Sequence, residues 1–92
     1  MYEVACWQGL AIRFQLREGA IRYAIELQDS GVRRVSVWNL DTGQPVTREF
    51  LEARADLIRQ LCALEHGAHR LPAMAVELTR RIAELDTILS QA

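Results

Sequence analysis

Along the first forty residues, apolar positions alternate with polar or small ones, the period of a half-buried β-strand. Leu10, Ile12, Phe14 and Leu16 form one run and stop at Glu18-Gly19. Ile21, Tyr23, Ile25 and Leu27 form a second and stop at Asp29-Ser30-Gly31. A weaker third run carries Val35 and Val37 and ends near Asp41-Thr42-Gly43. Glycine at each break suits the positive φ of a tight hairpin turn. A two-residue loop at Glu18-Gly19 pairs Leu16 with Ile21, Phe14 with Tyr23, Ile12 with Ile25 and Leu10 with Leu27. A three-residue loop at Asp29-Ser30-Gly31 sets Ile25 opposite Val35 and Tyr23 opposite Val37. The other face then receives Glu26 against Arg34, an ion pair, and Arg22 against Trp38, a cation–π pair. The segment Ala20–Gln28 also contains good helix formers, which compete with this reading. For the opening strand, a three-residue loop through Gln8, Gly9 and Leu10 aligns Cys6 with Ile12, Val4 with Phe14 and Tyr2 with Leu16. A two-residue turn would set Glu3 against Phe14 on the apolar face, which is costly.

Beyond Val46 the period changes to that of a helix. Thr47 is placed as an N-cap, Glu49 lies in the first turn, and Val46 and Leu51 stand at the positions of a hydrophobic staple. Positions 50, 54, 57, 61, 64, 68, 71, 75, 78, 82, 85 and 89 continue one seam through the break at Gly67–Pro72. Two arrangements compete: an antiparallel hairpin of helices, or one long kinked helix whose seam suits a coiled-coil dimer. Glycine and proline within six residues favour the hairpin. The expected fold is α+β and a single domain over 1–92. A four-stranded antiparallel meander sheet (about 2–40) precedes two α-helices (about 48–66 and 72–90) packed on one sheet face. The face to be covered carries Ile12, Phe14, Tyr23, Ile25, Val35 and Val37. Truncating Ile25 to alanine is expected to cost about 2–5 kcal/mol if that position is core.

Composition narrows the function classes without selecting one. Half of the 92 residues are hydrophobic, a quarter are charged, and the formal net charge is -1, as in an ordinary soluble globular protein. No apolar run is long enough for a membrane span. The acidic start Met1-Tyr2-Glu3-Val4 does not resemble a secretory leader. Two cysteines, Cys6 and Cys62, are too few for a disulfide framework, so reduced thiols and a cytoplasmic setting are expected. The near-neutral balance does not predict non-specific nucleic-acid binding.

Candidate chemistry is sparse. Cys62, His66 and His69, with Glu65 beside them, have helical spacing suited to a tetrahedral metal. Gly67 intervenes and a fourth ligand is missing, so no metal and no other cofactor is expected. Nucleophilic catalysis needs a base and an orienting acid near the nucleophile. Cys62 with His66 one turn on has contact distance but continues the buried stripe, and Cys6 lies mid-strand on the buried face. No phosphate-binding glycine loop occurs, so no enzyme is expected. The outer sheet face is more informative. All 11 basic residues are arginine, and the predicted register gathers Trp7, Arg13, Arg17, Arg22, Arg34 and Trp38 there. Tryptophan and arginine are the residues most enriched at binding hot spots. They can also stack bases and neutralise phosphates, and a plain solvated face would look similar. The leading expectation is a small non-enzymatic interaction protein, an adaptor, regulator or inhibitor of a larger complex, anchored by those six residues. The alternative is a nucleic-acid-binding module using the same face. Compact chains of this class occur among phage and mobile-element products, including inhibitors of host defence; that expectation comes from the class, not from these residues. Leu51, Met74, Val76 and Ile88 lie off the helical seam and point to homodimerisation as a further expectation.

Overall fold

Strand pairing decides why the second apolar run cannot be a strand. The computed structural model describes residues 1–9, 11–66 and 72–91. β1 (Tyr2–Ala5) lies between β2 (Ala11–Phe14) and β3 (Ser36–Asn39) and is antiparallel to both. β2 and β3 are therefore parallel to each other across β1. Strands so related cannot be joined by a tight turn and need a crossover. The crossover is α1 (Arg17–Asp29). β4 (Gln44–Pro45) pairs with β3 and completes a four-stranded sheet of order β2-β1-β3-β4. The α+β class, with four antiparallel strands in one sheet followed by two helices, is as expected. The strands, however, are not in meander order, and residues 20–28 are helical.

Two periods coexist in that segment, and tertiary packing selected the helical one. Ala20, Ile21, Ala24 and Gln28 are buried on one face of α1, a spacing of three and four. The alternation of Ile21, Tyr23, Ile25 and Leu27 is compatible with this stripe. The break at Asp29-Ser30-Gly31 is a helix stop, not a hairpin. Gly31 has φ +87°, its N–H donates to the Gln28 carbonyl, and the Val32 N–H donates to the Leu27 carbonyl, each at 3.0 Å. That pair of bonds closes a Schellman motif. Glycine with positive φ serves a hairpin and a helix terminus equally well, so the residue was legible and its use was not. The break at Glu18-Gly19 lies inside the first turn of α1, where a Cβ on Gly19 would come within 3.4 Å of the Phe14 ring.

The opening hairpin keeps the expected faces but shifts its register by two. Val4 pairs with Ile12 and Tyr2 with Phe14, not Val4 with Phe14, because the connection runs over more residues than the predicted loop. A shift of two conserves the side-chain face, which is why the inward set survives it.

After the sheet come α2 (Arg48–His66) and α3 (Pro72–Gln91). Arg54 near the start of α2 bonds Asp86 near the end of α3 at 2.7 Å. In one continuous helix these residues would lie about 48 Å apart, so the helices form the antiparallel hairpin. Thr47 does precede α2, but its φ is +52°, its hydroxyl donates to the Val46 carbonyl, and among the described residues the α2 N–H that bonds Thr47 reaches its backbone carbonyl, from Leu51 at 3.0 Å. A β-branched residue at positive φ is strained. Val46 is partly buried against the main core cluster, to which Leu51 belongs.

That core is formed by Val4 and Val37 from the sheet, Ala20, Ile21 and Ala24 from α1, Leu51 from α2 and Leu89 from α3. α1 is the principal cover of the sheet, while α2 meets it chiefly at β3. Ile25 is half-buried on α1 instead of paired between strands, so its truncation should cost less than a fully buried isoleucine. The radius of gyration, 14.1 Å, exceeds the roughly 12 Å typical of this length. The far half of the α2–α3 hairpin extends from the sheet domain.

Leu57 on α2 and Leu78 on α3 are buried outside the main cluster. Leu78→Ala is expected to accelerate amide exchange in the distal halves of α2 and α3 while β1 and β3 keep their protection, the behaviour of a separable local unit. Equal loss of protection in the sheet would mean that hairpin and sheet unfold as one.

Candidate surface site on the outer sheet face

Residues directly opposite on paired strands share a face, so the register defines the surface turned away from α1. Arg13, Glu3, Trp38 and Pro45 form one row across the four strands, and Ala11, Ala5 and Ser36 form the next. Glu3 stands between Arg13 and Trp38 and accepts a hydrogen bond from the Arg13 Nε at 3.4 Å. The Trp38 indole N–H donates to the Ser36 hydroxyl at 3.0 Å. That bond draws the ring back along β3 toward the row of small residues. Beyond Ala5 the chain turns, and Trp7 stands 60% exposed. Its amide donates to the Arg33 carbonyl at 3.3 Å, which ties the turn to the loop that carries Arg34. Arg34 itself is exposed, with φ +56°.

Of the six anchors expected from sequence, the sheet thus brings Arg13 and Trp38 onto its outer face. Trp7 and Arg34 lie at the adjoining end. Arg17 and Arg22 belong to α1, on the other side of the sheet. Arg22 is exposed beside a shallow cleft of about 240 Å³ between α1 and the end of α3, lined by Glu18, Ile21, Ile25, Glu26, Leu89 and Ser90. Arg17 is partly buried in the first turn, and its Nε is enclosed without a hydrogen-bond partner. The expected Arg22–Trp38 and Glu26–Arg34 pairs do not form, since Arg22 and Glu26 are helical. The outer face is therefore not the basic surface anticipated. On its strands it carries one arginine, matched by one glutamate.

The Cys62–His66–His69 spacing, from which no metal site was expected, is only partly within the described residues. Cys62 is exposed on α2, not buried in its seam. His69 lies outside the described residues. Among the described residues no group of three or more histidine, cysteine or acidic side chains could hold a metal, and no helix is long and apolar enough to cross a membrane.

The densest charged constellation went unread in the sequence. Arg54 is 1% exposed. Its Nε donates to Asp86 at 2.7 Å, one terminal nitrogen to Asp29 at 2.7 Å, and the other to Gln28 Oε1 at 3.0 Å. Gln28 passes the connection on by donating to the Leu51 carbonyl at 2.9 Å. Burial opposes the charge on Arg54, but the hydrogen bonds and charges of Asp86 and Asp29 outweigh it and raise its pKa. A guanidinium held in this way transfers no proton; it clamps three helices. The available signal was a charge at position 54 of an otherwise apolar seam.

Half of the remaining charges on the described helices pair along their own helix: Arg48 with Glu52, Arg59 with Asp56, and Arg80 with Glu77 and Glu84. The hydrogen bond from Arg80 holds the Glu77 carboxyl below its ordinary pKa. These are solvated i,i+3 and i,i+4 pairs of small energetic weight. No family model, curated protein or solved structure matches this chain.

Proposed function

We propose that this chain is a small non-enzymatic protein-interaction module, an adaptor, regulator or inhibitor of a larger complex, that engages its partner with the outer face of the sheet. The observation that carries the reading is the row Arg13–Glu3–Trp38 beside the shallow row Ala11–Ala5–Ser36, with Trp7 exposed at its end. Indole rings contribute large contact area at little entropic cost, and small neighbours leave room for a partner's side chains. The Arg13–Glu3 pair supports a protein partner over a nucleic acid, because a cation matched by its own carboxylate has little charge left for a phosphate.

The test is an affinity pull-down from host lysate with the wild type, Trp7→Ala, Trp38→Ala and, as a control on α2, Arg59→Ala. A specific protein captured by wild type and control but lost from both tryptophan variants is the expected result. That capture should survive a rise in salt, whereas phosphate-driven binding would fall steeply. An unchanged set of captured proteins in the tryptophan variants would overturn the reading, and so would recovery of nucleic acid that is released by salt.

A further inference from the structure

The two edges of the sheet are finished differently. β4 is two residues long and contains Pro45, which has no N–H to offer, so that edge is blunted. β2 has four residues and no proline, and the side chains along it are open. Ile12 is in register with Val4 and Val37, which are 2% and 0% exposed, yet Ile12 is 43% exposed. It belongs to the core face by its pairing but receives no complete cover. Past the strand, Leu16 is 72% exposed and still extended, at φ -108° and ψ 136°. An edge strand with one uncovered apolar side chain, followed after a bend by a second at an extended position, is a template for one more strand.

We propose that this strand is β2 of a second copy, added antiparallel about a two-fold axis to make one continuous eight-stranded sheet. Opposed residues must share a face, so a two-fold pairing can be centred only on a residue. Centring on Arg13 sets two arginines directly opposite each other, which is unfavourable. Centring on Ile12 leaves Leu16 without an opposite apolar residue. Centring on Phe14 sets Phe14 against Phe14 of the second copy, Ile12 against its Leu16, and Arg13 against its Gln15. Every apolar side chain that β2 leaves open then meets another, and the one cation meets a neutral amide. This pairing is self-complementary, which is what a two-fold interface demands of a single surface. It is independent of the partner proposed for the outer face. It would place two copies of that face side by side.

Sedimentation velocity across a wide concentration range tests the pairing, with the 10.5 kDa monomer as reference. The wild type should approach twice the monomer mass as concentration rises. Leu16→Asp should remain monomeric throughout. Leu16 is the N-cap of α1 and makes no side-chain capping bond, and aspartate is a favoured cap, so at concentrations where the wild type is itself monomeric this variant should melt no lower than wild type. Gln15→Glu, which adds a carboxylate opposite Arg13 twice per dimer, should tighten association several-fold at low salt, and Gln15→Arg should weaken it. A wild type that stays monomeric at every concentration overturns the proposal and leaves the edge to a foreign strand. A dimer that persists in Leu16→Asp overturns it in favour of another surface. Indifference to both Gln15 changes overturns the register centred on Phe14.

Discussion

Neutralising both aspartates that hold Arg54 should cost this protein more than removing Arg54 itself. In Asp29→Asn with Asp86→Asn, a guanidinium 1% exposed keeps only neutral partners, and stranding a buried charge typically costs about 3–5 kcal/mol. Arg54→Met leaves the opposite situation. The two carboxylates are about half exposed and can return to water. The loss is then confined to the Gln28 hydrogen bond and imperfect packing, about 1–3 kcal/mol. Urea unfolding of the three proteins gives the ranking. A double-asparagine variant within about 1 kcal/mol of wild type would mean that the helices do not depend on this clamp.

Leu89→Ala should produce the next largest loss. Leu89 is 1% exposed and brings the last turns of α3 into the cluster formed by the sheet, α1 and Leu51. Truncating a leucine so placed costs about 2–5 kcal/mol, against a total of about 5–15 kcal/mol for a typical domain. For a chain of this length that corresponds to a fall in Tm of about 10 °C or more. The neighbouring Ile88 is exposed at 41% and provides the control: Ile88→Ala should shift stability by less than about 1 kcal/mol. Similar losses in the two variants would show that α3 does not present the 78–82–85–89 stripe to the core.

These two predictions rest on features that were unequally legible in the chain. The seam through Leu57, Leu61, Leu78, Ile82, Leu85 and Leu89 can be read from spacing alone, because a helix repeats its buried face every three or four residues. Gly67 and Pro72 are enough to favour two helices over one. Arg54 sits on the same seam, yet nothing local distinguishes a clamp from a mismatch. Its acceptors, Asp29 and Asp86, are far from it in sequence, and only packing brings them within 2.7 Å. The outer-face residues divide in the same way. Arg13 and Trp38 lie on true strands, and alternation placed them correctly. Arg17, Arg22 and Glu26 fall on that face only if their segment is a strand; in α1 they lie on the other side of the sheet.

Periodicity, turn glycines and composition thus determined the α+β class, the inward face of β1–β3 and the helical hairpin, all properties of short stretches of chain. Tertiary structure decided the state of residues 17–29, the order of the strands and the electrostatic character of the outer face. In that segment apolar positions fit both a period of two and one near 3.6, and Gly31 suits either a hairpin or a helix end. Local free energies so closely balanced are resolved by non-local pairing. Once β1 pairs with both β2 and β3, the link between those two parallel strands must cross over, and a helix that buries Ala20, Ile21 and Ala24 against Val4 and Val37 meets that need.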